Sequence, residues 1–279
     1  MISVVDSIPD RLSEPFILRN AASVLGWPDS HLDLASLDFF ISLNSNDTVG
    51  VGGYGESDWM CVSEALEMVR RAPLSESERP AYIAGWEYAM GDISSDLECR
   101  VPGVKIWEDE CYLRCISGDI EKINVLRRLM RWLFIGSKGT SSPGHVDPLG
   151  ADGWMFLFSG QKKWWVAQRV ESNDLKDSQD EVIEKINRLM TNSEKPSING
   201  WCLSIGVQRP GDLIYVPGGC VHGVLNEGEG AHIAISHNWV RDKNLLYKEI
   251  EKAQKISRSD RPDDEPDDAL LFGLLSIIR

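Results

Sequence analysis

Read for hydrophobic and polar positions, the chain changes texture near residue 130. Before that point, Glu14 to Asn20 predicts a short strand behind Pro15, Leu34 to Leu43 is apolar at helical spacing, and Thr48-Val49-Gly50-Val51 leans to strand. Val62, Ala65, Leu66 and Val69 fall at i, i+3, i+4 and i+7, which predicts a helix with one buried face. From Met130 onward the apolar runs are short and punctuated by Gly and Pro: Trp132 to Ile135, Trp154 to Phe158, Lys162 to Gln168, Trp201 to Ile205, Leu213 to Val216 and His232 to Val240. Many short strands separated by turn signals predict a sandwich or barrel. Gln179 to Met190 breaks the series with a helical pattern between polar flanks.

The chain then returns to helix. Asp242 to Ser257 is mixed in charge, Asp260 to Asp268 is an acidic linker containing proline, and Ala269 to Ile278 is an apolar terminal helix. In it, Leu270, Leu271, Leu274, Leu275 and Ile278 make a stripe that either packs on the barrel or forms the seam of a homodimer. The expected division is an α/β segment over 1–128, a β core over 129–240 with a helical insertion at 178–191, and a helical appendage over 241–279.

Composition narrows the functions. With 279 residues, 42% hydrophobic and ten Trp, the chain can bury a sizeable core. A net charge of -14 and a pI near 4.8 argue against general binding to nucleic acid or to anionic membranes. The longest apolar stretch, Leu270 to Ile278, is broken by Gly273 and too short to span a bilayer, and Met1 to Asp10 is acidic with no apolar leader core. A cytoplasmic protein is expected, or a nuclear one in a eukaryote. The six Cys at 61, 99, 111, 115, 202 and 220 contain no CxxC pair and read as reduced thiols. Cys111 and Cys115 would make half a zinc site, but the completing pair is missing. Trp132, Trp154, Trp164 and Trp239 lie on expected strands and read as core rather than as a cage for a cation.

The candidate chemistry is His145-Val146-Asp147 with a distant His222. Side chains two apart on a strand or its edge loop share a side, so His145 and Asp147 can face one point. Pro217-Gly218-Gly219 permits the reversal that brings His222 to meet them. Two imidazoles and one carboxylate leave the opposite coordination positions open, the arrangement of non-haem Fe(II) sites. On spacing alone, a packed or solvated histidine is equally open.

The flanking residues sharpen this. Gly139 to Gly150, Trp154, Gly160-Gln161-Lys162-Lys163-Trp164, Pro210 to His222 and Ile233 to Trp239, in that order, resemble the Jumonji-C (JmjC) family of Fe(II)- and 2-oxoglutarate-dependent oxygenases, and within it the branch of the small lysyl hydroxylase also described as an arginine demethylase. Pro15 to Ala22, Trp27-Pro28 and Pro80-Ala81-Tyr82-Ile83 extend the likeness towards the N-terminus. The resemblance implies a mainly β fold with α, a double-stranded β-helix of the jelly-roll or cupin type. It implies His145, Asp147 and His222 as iron ligands, and Lys162 as the cation for the distal carboxylate of 2-oxoglutarate. A carboxylate would not enter an apolar barrel unpaired. Tyr82 and Ser142 would add hydroxyls to that carboxylate, while Asn238 and Ser236 would lie near the co-substrate or form an ordinary buried polar pair. Lys163, His232 and His237 read as surface or structural groups. Met155 stands where the nearest members of the family carry Asn.

What the resemblance implies in function is hydroxylation of a C–H on a protein or peptide side chain, with O2 consumed and succinate and CO2 released. N-methyl-lysine or N-methyl-arginine demethylation uses the same chemistry, as does hydroxylation of a free amino acid or small natural product. A basic substrate would suit the acidic chain. The rival from another class is a cupin that binds metal without catalysis.

Overall fold

The computed structural model describes residues 1–52, 58–71, 81–91, 93–101, 103–104, 120–170, 177–191, 197–242, 244, 246–248 and 250–251. Along the chain the strands are β1 (Ser3–Val5), β2 (Phe16–Leu18), β3 (Thr48–Val51), β4 (Asp58–Cys61), β5 (Tyr82–Trp86), β6 (Arg131–Gly136), β7 (Ser141–His145), β8 (Asp152–Ser159), β9 (Gln161–Arg169), β10 (Trp201–Gln208), β11 (Leu213–Val216), β12 (Val221–Glu227) and β13 (His232–Trp239). They form a nine-stranded sheet in the order β1-β2-β11-β8-β13-β6-β5-β3-β4 and a four-stranded sheet in the order β10-β9-β12-β7. The four central strands β11-β8-β13-β6 face the smaller sheet as a jelly roll, and the N-terminal strands extend the larger sheet at both edges. This is the mainly β, double-stranded β-helix architecture that the resemblance implied.

Alternation along the strands sorts the core into three parts. Met155, Leu157, Trp164, Val166, Ile214, Val224 and Ala234 fill the barrel, joined by Ile2 and Ile17 from the N-terminal strands. The opposite face of the larger sheet, with Trp154, Phe156 and Ile235, is covered by the N-terminal layer, including the helix Val62–Arg71. The outer face of the smaller sheet, with Trp165, Ala167 and Val221, is covered by the insertion helix Gln179–Thr191 through Val182 and Ile186.

Most expected elements are present with slightly shifted bounds. One is not a single helix: Leu34 to Leu43 divides into a 3-10 segment, Asp29–Ala35, and an α-helix, Leu37–Ser42, separated by an extended Ser36 at φ -103°, ψ 126°. Leu34 and Phe40 are both buried, and six residues apart they would point to different sides of a continuous helix. The break at Ser36 brings both into one core. The helix Ile120–Leu129 and the strands β1 and β4 were not foreseen from the sequence, and β12 was expected only as the strand that follows the Pro217-Gly218-Gly219 turn, without bounds. Cys111 and Cys115, the linker Asp260 to Asp268 and the helix Ala269 to Ile278 lie outside the described residues. Of the stretch Asp242 to Ser257, the described residues between 244 and 251 are helical. Among the described residues no helix is long and apolar enough to cross a membrane.

Candidate functional site

β7 and β12 are antiparallel neighbours with His145 directly opposite His222. Their rings lie 4.3 Å apart between centroids. Asp147 sits just past the end of β7, held extended at ψ 141° by Pro148, because a following proline disfavours the helical region. Its Oδ1 is 3.8 Å from Nε2 of His145 and 3.8 Å from Nε2 of His222. One ligand atom from each of the three residues falls within 4.8 Å of the others.

The backbone sets the tautomers. Nδ1 of His145 lies 2.8 Å from the Pro143 carbonyl and Nδ1 of His222 lies 3.3 Å from the Cys220 carbonyl. A carbonyl only accepts, so each Nδ1 carries the hydrogen and each Nε2 offers a lone pair toward Asp147. Burial pushes the pKa of His222 down to about 4, with His145 adding to the shift and Asp147 opposing it. The ring is therefore neutral at physiological pH, as a metal donor must be. Trp164 stacks on it at 6.1 Å. Two nitrogen donors and one carboxylate, with the far nitrogens of the rings fixed by carbonyls, fit a divalent transition metal.

Room for the carboxylate depends on Gly153. A Cβ there would stand 2.6 Å from Asp147 Oδ2 and 3.0 Å from Asn238 Oδ1. Gly153 pairs with Asn238 across β8 and β13, which places Asn238 at the metal end of the barrel. Its Nδ2 is buried with no hydrogen-bond partner among the described residues. Ser236 lies on the same face, but its hydroxyl donates to the Trp154 carbonyl at 3.0 Å.

Four residues along β12 from His222, Asn226 pairs with Lys162 of β9. Lys162 is 0% exposed, and its Nζ donates to Asn226 Oδ1 at 2.7 Å. Burial pushes its pKa down to about 7. The face of Tyr82 is 5.9 Å from Nζ, and the Tyr82 hydroxyl is 2.9 Å from that of Ser142. Lys162, Tyr82 and Ser142 thus share one polar pocket in the barrel, together with Asn226 and Thr140, which sequence reasoning missed. Lys163, by contrast, points outward to Glu227 at 3.6 Å and over Trp165. His232 and His237 are buried structural groups: His232 Nε2 donates to the Glu227 carbonyl, and His237 Nε2 lies 2.7 Å from the Tyr88 hydroxyl while its ring packs on Trp154. Met155 faces the barrel interior among Leu157 and Ile214 and brings no polar atom to it from its side chain.

Comparison with known proteins agrees with this geometry. Residues 132–239 match the family model described as "JmjC domain, hydroxylase". The chain is similar to "2-oxoglutarate and iron-dependent oxygenase JMJD4" of Mus musculus, 33% identical over 44% of this chain and 31% of that protein. It is also similar to "Bifunctional arginine demethylase and lysyl-hydroxylase psr-1" of Caenorhabditis elegans, 30% identical over 66% of this chain and 47% of that protein. A third relative is "Arginine-specific demethylase JMJ22" of Arabidopsis thaliana, 30% identical over 88% of this chain and 46% of that protein. The chain spans less than half the length of each of these three curated relatives. Residues 132–239, the segment that matches the JmjC model, carry His145, Asp147, Lys162 and His222.

Proposed function

We propose that this chain is an Fe(II)- and 2-oxoglutarate-dependent oxygenase that hydroxylates a C–H bond of a basic side chain in a protein or peptide, releasing succinate and CO2. The observation that carries this reading is Lys162. A fully buried lysine with a neutral amide as its hydrogen-bond partner, and no carboxylate partner among the described residues, is costly unless an anion joins it. It lies on the inner face of the barrel, about 13 Å of strand from the level of His222 at ~3.3 Å per residue. A short dicarboxylate with one end at the three ligands and the other at the lysine satisfies both features.

Iron, when bound, supplies oxidative decarboxylation of 2-oxoglutarate coupled to transfer of an oxygen atom from O2 to a C–H bond. His145, Asp147 and His222 would hold it. Lys162 would neutralise the distal carboxylate of the co-substrate, with the hydroxyls of Tyr82 and Ser142 as further donors. Asn238, whose Oδ1 faces Gly153 beside Asp147, would line the space next to the carboxylate, and Trp164 stacks on His222. Ser236, already bonded to the Trp154 carbonyl, would shape the wall rather than bind.

The names of the relatives point to arginine and lysine side chains for those proteins, and the net charge of -14 suits such a substrate here. N-demethylation is the second reading, favoured by the alignment with an arginine-specific demethylase over 88% of this chain. A hydroxylated N-methyl carbon breaks down to formaldehyde, so one screen separates the two outcomes. Iron-loaded protein is incubated with 2-oxoglutarate and with lysine- or arginine-containing peptides, their methylated forms and the free amino acids. Gain of one oxygen atom supports hydroxylation, and loss of a methyl group with formaldehyde supports demethylation. His145→Ala and Asp147→Ala should abolish succinate formation, and Lys162→Ala should chiefly raise the 2-oxoglutarate requirement. Wild-type protein that neither binds 2-oxoglutarate nor yields succinate would sink the oxygenase reading in favour of a non-catalytic cupin.

A further inference from the structure

A side-chain amide beside a lysine can present either its oxygen or its NH2, and only the oxygen is useful. In this barrel the choice is made by a chain of hydrogen bonds leading away from Lys162. Asn226 Oδ1 accepts from Lys162 Nζ at 2.7 Å, and Asn226 Nδ2 donates to Thr140 Oγ1 at 2.7 Å. Thr140 Oγ1 in turn donates to the Ser137 carbonyl at 2.7 Å. That carbonyl can only accept, so the hydroxyl hydrogen of Thr140 is committed to it and the lone pairs of Oγ1 face Asn226. The NH2 must then face Thr140, and the oxygen must face the lysine.

The three side chains are no more than 7% exposed, so water does not compete for these groups. The main chain ties the same residues, with Asn226 N donating to the Thr140 carbonyl at 2.8 Å and Gly139 N to the Asn226 carbonyl at 2.9 Å. Space for the array comes from Gly136. A Cβ there would stand 2.5 Å from Tyr82 Cδ2, 2.7 Å from Thr140 Oγ1 and 3.0 Å from Asn226 Nδ2.

We propose that Asn226, locked by Thr140 and the Ser137 carbonyl, is a positioning residue that aims Lys162 at the co-substrate. The amide takes one N–H of Nζ with a neutral acceptor and leaves the remaining ones for an incoming carboxylate. An aspartate in its place would consume the positive charge, and a flipped amide would set N–H against N–H. The inference rests on the co-substrate role given to Lys162 above.

The test is titration of 2-oxoglutarate into the full chain loaded with Mn(II), beside steady-state kinetics of the iron form. Thr140→Val, which keeps the shape and removes the lock, should weaken 2-oxoglutarate binding about tenfold, as loss of a buried hydrogen bond does. Thr140→Ser should restore affinity to within about threefold of the parent. Asn226→Asp, equal in size, should weaken binding by about a hundredfold or more and serves if Thr140→Val does not fold. In Thr140→Val and Asn226→Asp, KM for 2-oxoglutarate should rise while kcat at saturation and Mn(II) affinity stay near the parent. Thr140→Val and Asn226→Asp binding like the parent would overturn the proposal alone. So would Mn(II) affinity falling in step with 2-oxoglutarate affinity, because that marks general damage to the barrel. A parent that binds no 2-oxoglutarate would remove the function and this inference together.

Discussion

At the scale of single residues, the charge state of Lys162 ties burial to binding. Burial pushes its pKa from 10.5 to about 7, so between those values the unfolded chain holds a proton that the folded apoprotein lacks. Apoprotein stability should therefore rise with pH through that window, and Lys162 costs stability below it. A carboxylate arriving beside Nζ raises the pKa again, so above pH 7 binding takes up a proton. Affinity for 2-oxoglutarate should fall by up to about tenfold per pH unit there. Calorimetry in two buffers of different ionisation enthalpy reads the uptake directly, and Lys162→Met should abolish both uptake and slope. A flat profile in the parent would contradict the pairing. Gly153→Ala tests the metal end: its Cβ would meet Asp147 Oδ2 at 2.6 Å. Mn(II) affinity should drop about 10- to 100-fold, as it does when a partner of a metal ligand is disturbed, with the fold retained by circular dichroism. His145, Asp147, His222 and Lys162 were readable because their spacing and flanks resemble a family. Gly153, Thr140 and Asn226 were not, because cross-strand register alone reveals what each one touches. A signal for Asn226 did exist: it lies an even four residues beyond His222, so both point into the barrel, where a polar group needs a partner.

At the scale of elements, β12 shows why a strand expected from its turn can still lack readable bounds. Its inner positions are His222, Val224 and Asn226, two of them polar, and its outer positions include Gly223 and Glu227. Chemistry has overwritten the alternation that would announce a strand. The insertion helix is the opposite case, since its apolar face is plain in the sequence but its docking place is not. It lies against β7 and β12, with Val182 and Ile186 buried. Asn187 Oδ1 accepts the Gly144 amide at 2.5 Å, one residue before His145. The helix therefore braces the strand that carries His145 and leads into Asp147. Asn187→Ala should cost about 1 kcal/mol of stability and speed hydrogen exchange at the Gly144 amide. Mn(II) binding should weaken several-fold, whereas Asn187→Asp, which keeps the acceptor, should preserve exchange protection. Unchanged exchange at Gly144 in Asn187→Ala would show that the helix merely covers the sheet.

At the scale of the whole molecule, one buried carboxylate joins the N-terminal segment, the barrel and the residues just past it. Asp152 Oδ1 accepts the Gly218 amide, in the turn that leads to His222, and Asp152 Oδ2 pairs with Arg241 Nε. Arg241 also donates to the Leu12 carbonyl at 2.7 Å and to the Tyr215 hydroxyl at 3.2 Å. Burial raises the Asp152 pKa, and Arg241 and the Gly218 amide hold it back. Arg241→Gln leaves that carboxylate buried without its cation. Because the Arg241 side chain is 38% exposed, solvent softens the loss, and unfolding in urea should show a deficit of about 1–3 kcal/mol rather than the larger cost of a fully buried pair. Asp152→Asn keeps the acceptor for Gly218 and removes the charge, so in the Arg241→Gln background it should cost less than it does alone. A coupling energy of about 1 kcal/mol is expected from the double-mutant cycle. The sign with pH follows from the raised carboxyl pKa: the folded variant binds more protons than its unfolded chain. Its deficit against the parent should therefore shrink as pH falls into the ordinary carboxylate range and grow above it. Because Gly218 precedes His222 by four residues, metal affinity should fall with stability in Arg241→Gln and recover in part in the double variant. Additive effects with no pH dependence would mean that Asp152 holds the turn through Gly218 alone, and that the chain past the barrel contributes nothing to the site.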